Sequence, residues 1–108
     1  MLNINFEFKH DIVTFYYAEC SYSIYVNDDN RQLELKTMRA GFINLFPFNS
    51  FEIVGEQETL DDSSLVGFKF NGAFGGYVKL SNLLLSDCKK ILNACVDLSE
   101  IVEDLKNL

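Results

Sequence analysis

The sequence predicts an α+β protein in which an antiparallel sheet of five to seven short strands precedes one C-terminal helix. Through residues 1–80 the apolar residues recur mainly at every second position, which is the period of a strand with one buried face. Through residues 81–107 they recur every three or four positions, which is the period of a helix. The chain has 108 residues, the usual size of one domain. We expect a single domain whose sheet is either open or curled into a barrel.

The first half of the chain contains the clearest strand patterns. Residues 3–8 alternate between apolar and polar types, and residues 12–18 are apolar on both faces, as in a central strand. Residues 22–26 and 33–35 alternate on either side of a polar turn at residues 27–30, which predicts a hairpin. We therefore expect four strands before residue 40.

The middle of the chain is less regular. Pro47 cannot donate to a strand ladder, so any strand in residues 40–50 is restricted to an edge or an irregular segment. Alternating apolar residues predict further short strands at residues 51–54, 66–70 and 77–80.

The C-terminal segment has an apolar seam with spacings of four and three residues, formed by Leu84, Cys88, Ile91, Cys95, Leu98, Val102 and Leu105. Ser81 is the expected N-cap. A continuous helix over residues 81–106 would be about 39 Å long, longer than the roughly 34 Å diameter of a domain of this size. The helix therefore either breaks near residues 97–99 or extends toward a partner. This order of elements resembles barrels closed by a terminal helix, such as the pleckstrin-homology type.

The composition restricts the possible partners and location. With 16 acidic and 9 basic residues, the formal net charge of -7 disfavours nucleic acids and anionic membranes and favours basic protein surfaces, including those of nucleic-acid-handling enzymes. No window is apolar enough for a membrane span and no leader pattern is visible, so we expect a cytoplasmic protein. The amino-acid usage is typical of a low-GC bacterium or a phage.

No residue pattern predicts catalysis, a metal site or a cofactor. His10 is the only histidine, so any metal or Ser-His-Asp site would depend on it alone. Cys88 and Cys95 would lie about 10 Å apart on a helix, too far for a disulfide, and Cys20 has no close thiol partner in sequence. Residues 71–76 are glycine-rich but precede a strand, which favours a hairpin connection over a phosphate site.

The candidate partner-binding residues are acidic or aromatic. A stretch without basic residues runs from residue 40 to residue 68 and contains Glu52, Glu56, Glu58, Asp61 and Asp62. The crowded tyrosines cannot all face one side of a strand, so at least one of them should be exposed. Because aromatic residues are enriched in protein interfaces, we include Tyr16, Tyr17 and Tyr25 among the candidate partner-binding residues. The seam residues Leu98, Val102 and Leu105 are a possible dimer or docking face, although packing of the seam against the sheet is the favoured interpretation.

Three functional hypotheses follow from these patterns. The first is a small, acidic, non-enzymatic protein of the inhibitor or immunity type that occludes a basic site on a partner protein. The second is a homodimeric structural or assembly subunit that pairs through its C-terminal helix. The third is a small-ligand-binding or enzymatic barrel that uses carboxylates and tyrosines at its mouth.

Overall fold

The computed structural model describes residues 4–55 and 61–108, which form seven antiparallel strands and one helix. The strands pair in sequence order within one sheet, so each strand contacts the strand that follows it along the chain. The elements are β1 (Phe6–Lys9), β2 (Ile12–Tyr17), β3 (Cys20–Asn27), β4 (Gln32–Arg39), β5 (Phe42–Val54), β6 (Leu65–Gly72), β7 (Tyr77–Leu84) and α1 (Leu85–Lys106). The predicted α+β class and the predicted hairpin of β3 and β4 are confirmed.

α1 covers one face of the sheet, which we call the helix face. Alternate strand residues and the helix seam form a single apolar core, whose fully buried members include Ile24, Leu35, Phe48, Phe68, Phe70, Cys88, Ile91 and Cys95. The opposite side of the sheet, which we call the open face, carries the strand residues that alternate with these core residues. The favoured interpretation of the helix seam, packing against the sheet, is therefore confirmed.

The sheet curls without closing into a barrel. β1 and β7 form its two edges, and no main-chain ladder joins them within the part of the chain that the structure describes. Side-chain hydrogen bonds instead link β2 to β7 and the segment before β1 to α1. The Tyr17 hydroxyl donates to the main-chain oxygen of Ser81 at 2.5 Å, and the main-chain N–H of Ile4 donates to Oδ2 of Asp87 at 3.1 Å.

β5 runs through Pro47 as one strand of 13 residues. The oxygen of Pro47 accepts a hydrogen bond from the N–H of Ala73 at 3.0 Å, on the side away from β4. Because the N and C=O groups of a strand residue point to the same side, the missing N–H of Pro47 removes no bond from the β4 ladder. Pairing with β6 begins at Phe48, so the first part of β5 is an edge, as Pro47 predicted.

α1 begins four residues after the predicted N-cap and has no break near residues 97–99. Ser81 belongs to β7, which continues because Leu83 pairs with Val66 of β6. The Ser99 hydroxyl donates to the main-chain oxygen of Cys95 at 2.8 Å, so it does not cap a second helix. A helix of 22 residues is about 33 Å long, which fits a molecule of 41 × 33 × 28 Å. The helix therefore neither breaks nor extends beyond the domain, in contrast to the two alternatives predicted from the sequence.

The remaining predictions concern the turn after β6, the cysteines and the membrane. Gly75 and Gly76 have φ values of 100° and 73° in the turn between β6 and β7, which confirms the predicted hairpin connection. Cys20, Cys88 and Cys95 are free thiols and all are buried. Within the described residues, no helix is sufficiently long and apolar to span a membrane.

Candidate protein-binding surfaces

The predicted acidic site is divided between different parts of the molecule. Glu52 lies on the open face, directly opposite Lys69 of β6. Asp62 lies beside the N-terminus of α1, where its Oδ1 is 2.9 Å from Nζ of Lys89. Glu56 and Glu58 lie outside the described residues. The described acids of this stretch therefore do not form one continuous surface, because Glu52 lies on the open face and Asp62 lies beside α1.

Asp61 organises its own loop. Its Oδ1 accepts hydrogen bonds from the main-chain N–H of Ser63 at 2.9 Å and from the Ser63 hydroxyl at 2.7 Å. These hydrogen bonds, the side-chain one first, lower the pKa of the Asp61 carboxyl below its ordinary value because they stabilise the charged form. This arrangement is typical of a carboxylate that shapes a turn.

Of the three predicted tyrosines, only Tyr16 presents its ring freely to solvent, with 69% of the residue exposed. Tyr17 lies on the helix face, where its hydroxyl contacts Ser81. Tyr25 lies on the open face and donates to Oε1 of Glu34 at 2.5 Å. Tyr17 and Tyr25 therefore have structural partners within the protein, which reduces the predicted aromatic site to one residue.

Glu34 is a buried carboxylate that the sequence analysis did not single out. Only 4% of it is exposed, although it lies on the open face. Oε1 accepts the Tyr25 hydroxyl, and Oε2 accepts Nδ2 of Asn27 at 3.4 Å. Burial, and then the hydrogen bond to Glu34, raise the pKa of Tyr25 to about 12. The hairpin register could have indicated this pair, because Tyr25 and Glu34 are directly opposite each other.

Two of the three residues of the predicted docking face on the helix are buried. Leu98 and Val102 are buried in the core cluster, with 4% and 8% of each residue exposed. Leu105 is half-buried near the end of α1. A partner could reach Leu98 or Val102 only if α1 left the sheet, whereas Leu105 remains partly accessible.

An open groove between α1 and β5 combines acidic and apolar groups, and we call it the acidic groove. It has a volume of ≈ 450 Å³ and is lined by Phe51, Val96, Ser99, Glu100, Glu103 and Asp104. Val96 is 43% exposed and leaves an apolar floor open to solvent. Nζ of Lys106 lies 3.7 Å from Oε1 of Glu103 and neutralises part of the rim.

A second cavity of ≈ 270 Å³ lies between the β1–β2 turn and α1. Its lining includes His10, Asp11, Lys90 and Asp97, together with apolar side chains. These charges are mixed in sign, and no group of three or more metal-binding side chains occurs in the described ranges 4–55 and 61–108. His10 is exposed in a turn with φ 57°.

No protein family, no curated protein and no solved structure matches the chain. Among the surfaces described above, the acidic groove has the most distinctive combination of groups, because three carboxylates of α1 lie beside an exposed apolar floor. Its acids come from one helix face, but Phe51 comes from a strand far away in sequence. The helical pattern alone leaves Asp97, Glu100, Glu103 and Asp104 for solvent or a partner, whereas the contribution of Phe51 depends on the fold.

Proposed function

We propose that the protein is a small, non-enzymatic binding module whose acidic groove receives a basic amphipathic segment of a partner protein. The observation that carries this proposal is the apolar floor of Phe51 and Val96 beneath a rim of Glu100, Glu103 and Asp104. An apolar side chain of the partner would fill the floor, while lysine or arginine side chains on either side would contact the rim. Helix-in-groove recognition uses this division between apolar anchors and polar edges.

The charge of the whole chain supports the same type of partner. A net charge of -7 attracts basic surfaces over long distances and increases the rate of encounter. A module of this kind would act by occluding the basic site of its partner, as an inhibitor or immunity-type protein does. Nucleic-acid-handling enzymes are the class of partner with the most suitable basic sites.

A charge-matched pair of variants tests the groove. We expect Glu100→Gln combined with Asp104→Asn to weaken binding of a helical peptide built from leucine and lysine by roughly tenfold, because the rim loses two charges. Glu7→Gln combined with Asp28→Asn removes the same charge from exposed positions away from the groove and should change the affinity by less than about twofold. Titration calorimetry at two salt concentrations measures both effects.

Partner capture gives the biological readout of the same variants. Bait protein immobilised in lysate of the source cells should retain a basic protein, and the groove variant should lose that protein while the control variant keeps it. Equal loss in both variants would assign the binding to net charge alone. Equal retention in both variants would show that the groove is not the binding site, and either result contradicts the proposal.

A further inference from the structure

Large exposed apolar side chains are concentrated at the end of the β4–β5 hairpin. Met38 and Ile43 are directly opposite each other on the open face, and Leu45 follows in the next position of β5 on the same face. Phe42 is 76% exposed, Ile43 54% and Leu45 57%. Isolated exposed apolar residues are common, but a contiguous group on neighbouring strands marks an interaction surface.

Three of these residues, Phe42, Ile43 and Leu45, lie on a bare strand edge. Residues 42–46, which we call the edge segment, pair with β4, but the register with β6 starts only at Phe48. Pro47 accepts a hydrogen bond from Ala73 on the side away from β4, so every second residue before it points its main-chain groups to that side. The N–H and C=O groups of Ile43 and Leu45 therefore face outward, where no strand of the described chain pairs with them.

The edge segment reads Phe-Ile-Asn-Leu-Phe, which is nearly symmetric about Asn44. If two copies pair antiparallel with Asn44 at the centre, Phe42 lies opposite the partner's Phe46 and Ile43 lies opposite the partner's Leu45. Each exposed apolar side chain then meets another apolar side chain. The segment contains no charged residue, so two chains that each carry a net charge of -7 can pair here without placing like charges opposite each other.

The two neighbouring registers of this antiparallel pairing are less favourable than the one centred at Asn44. A centre at Ile43 would place Leu45 opposite Gly41, which has φ 83° and belongs to the turn. A centre at Leu45 would place Ile43 opposite Pro47, which has no N–H to donate. The centre at Asn44 is the one of the three in which the outward donors and acceptors of both Ile43 and Leu45 are all used.

We propose that the edge segments of two copies pair antiparallel about Asn44 and join their sheets into one continuous sheet. The N–H of each Ile43 donates to the main-chain oxygen of the partner's Leu45, and the N–H of each Leu45 donates to that of the partner's Ile43. This isologous contact closes after two chains. The contact is small, so it produces a dimer that dissociates in the micromolar range. It lies away from the acidic groove and does not depend on the function proposed for that groove.

Sedimentation equilibrium tests the dimer. The wild-type mass should rise from 12.4 kDa toward twice that value as the concentration reaches several hundred micromolar. Ile43→Lys combined with Leu45→Lys should raise the dissociation constant at least about tenfold, because lysines then face lysines across the two-fold axis. Ile43→Lys combined with Leu45→Glu should restore association, because each new lysine faces a new glutamate. Ile12→Lys, on the open face of β2, should behave as wild type.

Disulfide trapping tests the register. Central residues in this register form a non-hydrogen-bonded pair with Cα atoms about 4.5 Å apart, which suits a disulfide. Asn44→Cys should therefore give a covalent dimer under mild oxidation, whereas Ser50→Cys, also exposed on β5, should not. The native cysteines are buried and contribute little. A wild type that stays monomeric, a Lys/Lys variant that associates as wild type, or equal trapping at residues 44 and 50 would each overturn the proposal.

Discussion

Glu34 shows how one residue can bury a charge on a sheet face that has no covering layer. Its carboxylate is 4% exposed because Tyr25 and Pro47 lie opposite it on the two neighbouring strands. Both carboxylate oxygens have hydrogen-bond donors, Tyr25 on one and Asn27 on the other. Alternation places Glu34 on the polar face of its strand, whereas its burial depends on the residues opposite it on β3 and β5.

We expect Tyr25→Phe to lower the free energy of unfolding by about 1.5 kcal/mol or more, because it removes a hydrogen bond to a charged group and leaves that group buried. Urea unfolding at pH 7 measures this change. In a Glu34→Gln background the same substitution should have a smaller effect, because a neutral amide needs less compensation. Additive effects of the two substitutions would show that the tyrosine and the carboxylate are not coupled.

The buried thiol of Cys95 should make the free energy of unfolding depend on pH in the alkaline range. Burial raises the pKa of its thiol from 9.0 to about 12, so the folded state retains a proton that the unfolded state loses. The contribution of the protonated Cys95 thiol to stability is complete below pH 9, and it is lost as the pH rises from 9 to 12. Through that window the group lowers the free energy of unfolding by about 1.4 kcal/mol per pH unit.

Cys95→Ala should therefore reduce the decline in stability between pH 9 and 11, even though the cavity that it leaves lowers stability at pH 7. Urea unfolding at pH 7, 9 and 11 separates the two effects. Some decline will remain in the variant, because burial also raises the pKa of Cys88 to about 11. An identical slope in wild type and variant would mean that the Cys95 thiol ionises freely in the folded protein.

At the scale of elements, the apolar seam of α1 was predictable from the sequence, but the residue at which the helix begins was not. The change of apolar period identified a helix, but residues 81–84 fit either period, and pairing of Leu83 with Val66 assigns them to β7. The length of β5 was unpredictable for a related reason. Pro47 is compatible with a strand only because β6 has ended beside it, a fact that depends on contacts distant in sequence.

Substitutions along α1 should distinguish its buried seam from its exposed groove face. Leu98→Ala should lower the free energy of unfolding by about 2–5 kcal/mol, because it leaves a cavity in the core. Val96→Ala, two residues earlier at an exposed position, should change it by less than about 0.5 kcal/mol. Thermal or urea unfolding compares them. Similar losses for both would indicate that α1 does not keep one face against the sheet.

At the scale of the molecule, the sequence shows where the acidic residues are concentrated along the chain but not which surfaces they share in the fold. Glu52 and Asp62 are ten positions apart and lie on different sides of the sheet, one opposite Lys69 and the other beside Lys89. The acidic groove instead joins the acids of one helix to Phe51 of a central strand. Sets of residues within one element could be inferred from spacing, whereas a site shared between elements required the sheet order and register.

The contact between Tyr17 and Ser81 joins the second strand of the sheet to the last, and it therefore bears on the shape of the whole molecule. Tyr17→Phe removes one hydrogen bond and should lower the free energy of unfolding by about 1 kcal/mol. Tyr16→Phe is a matched control, because Tyr16 is the preceding residue on the exposed side of the same strand, and it should have almost no effect.

Hydrogen exchange locates the consequence of losing this contact. The edges of an open sheet separate most easily where no ladder joins them, so Tyr17→Phe should accelerate amide exchange in β7 and β1 more than in the central strands β3 and β4. Tyr16→Phe should leave the exchange pattern unchanged. Uniform acceleration through all seven strands would mean that Tyr17 contributes only to global stability, and that the curl of the sheet is maintained by α1 and the core alone.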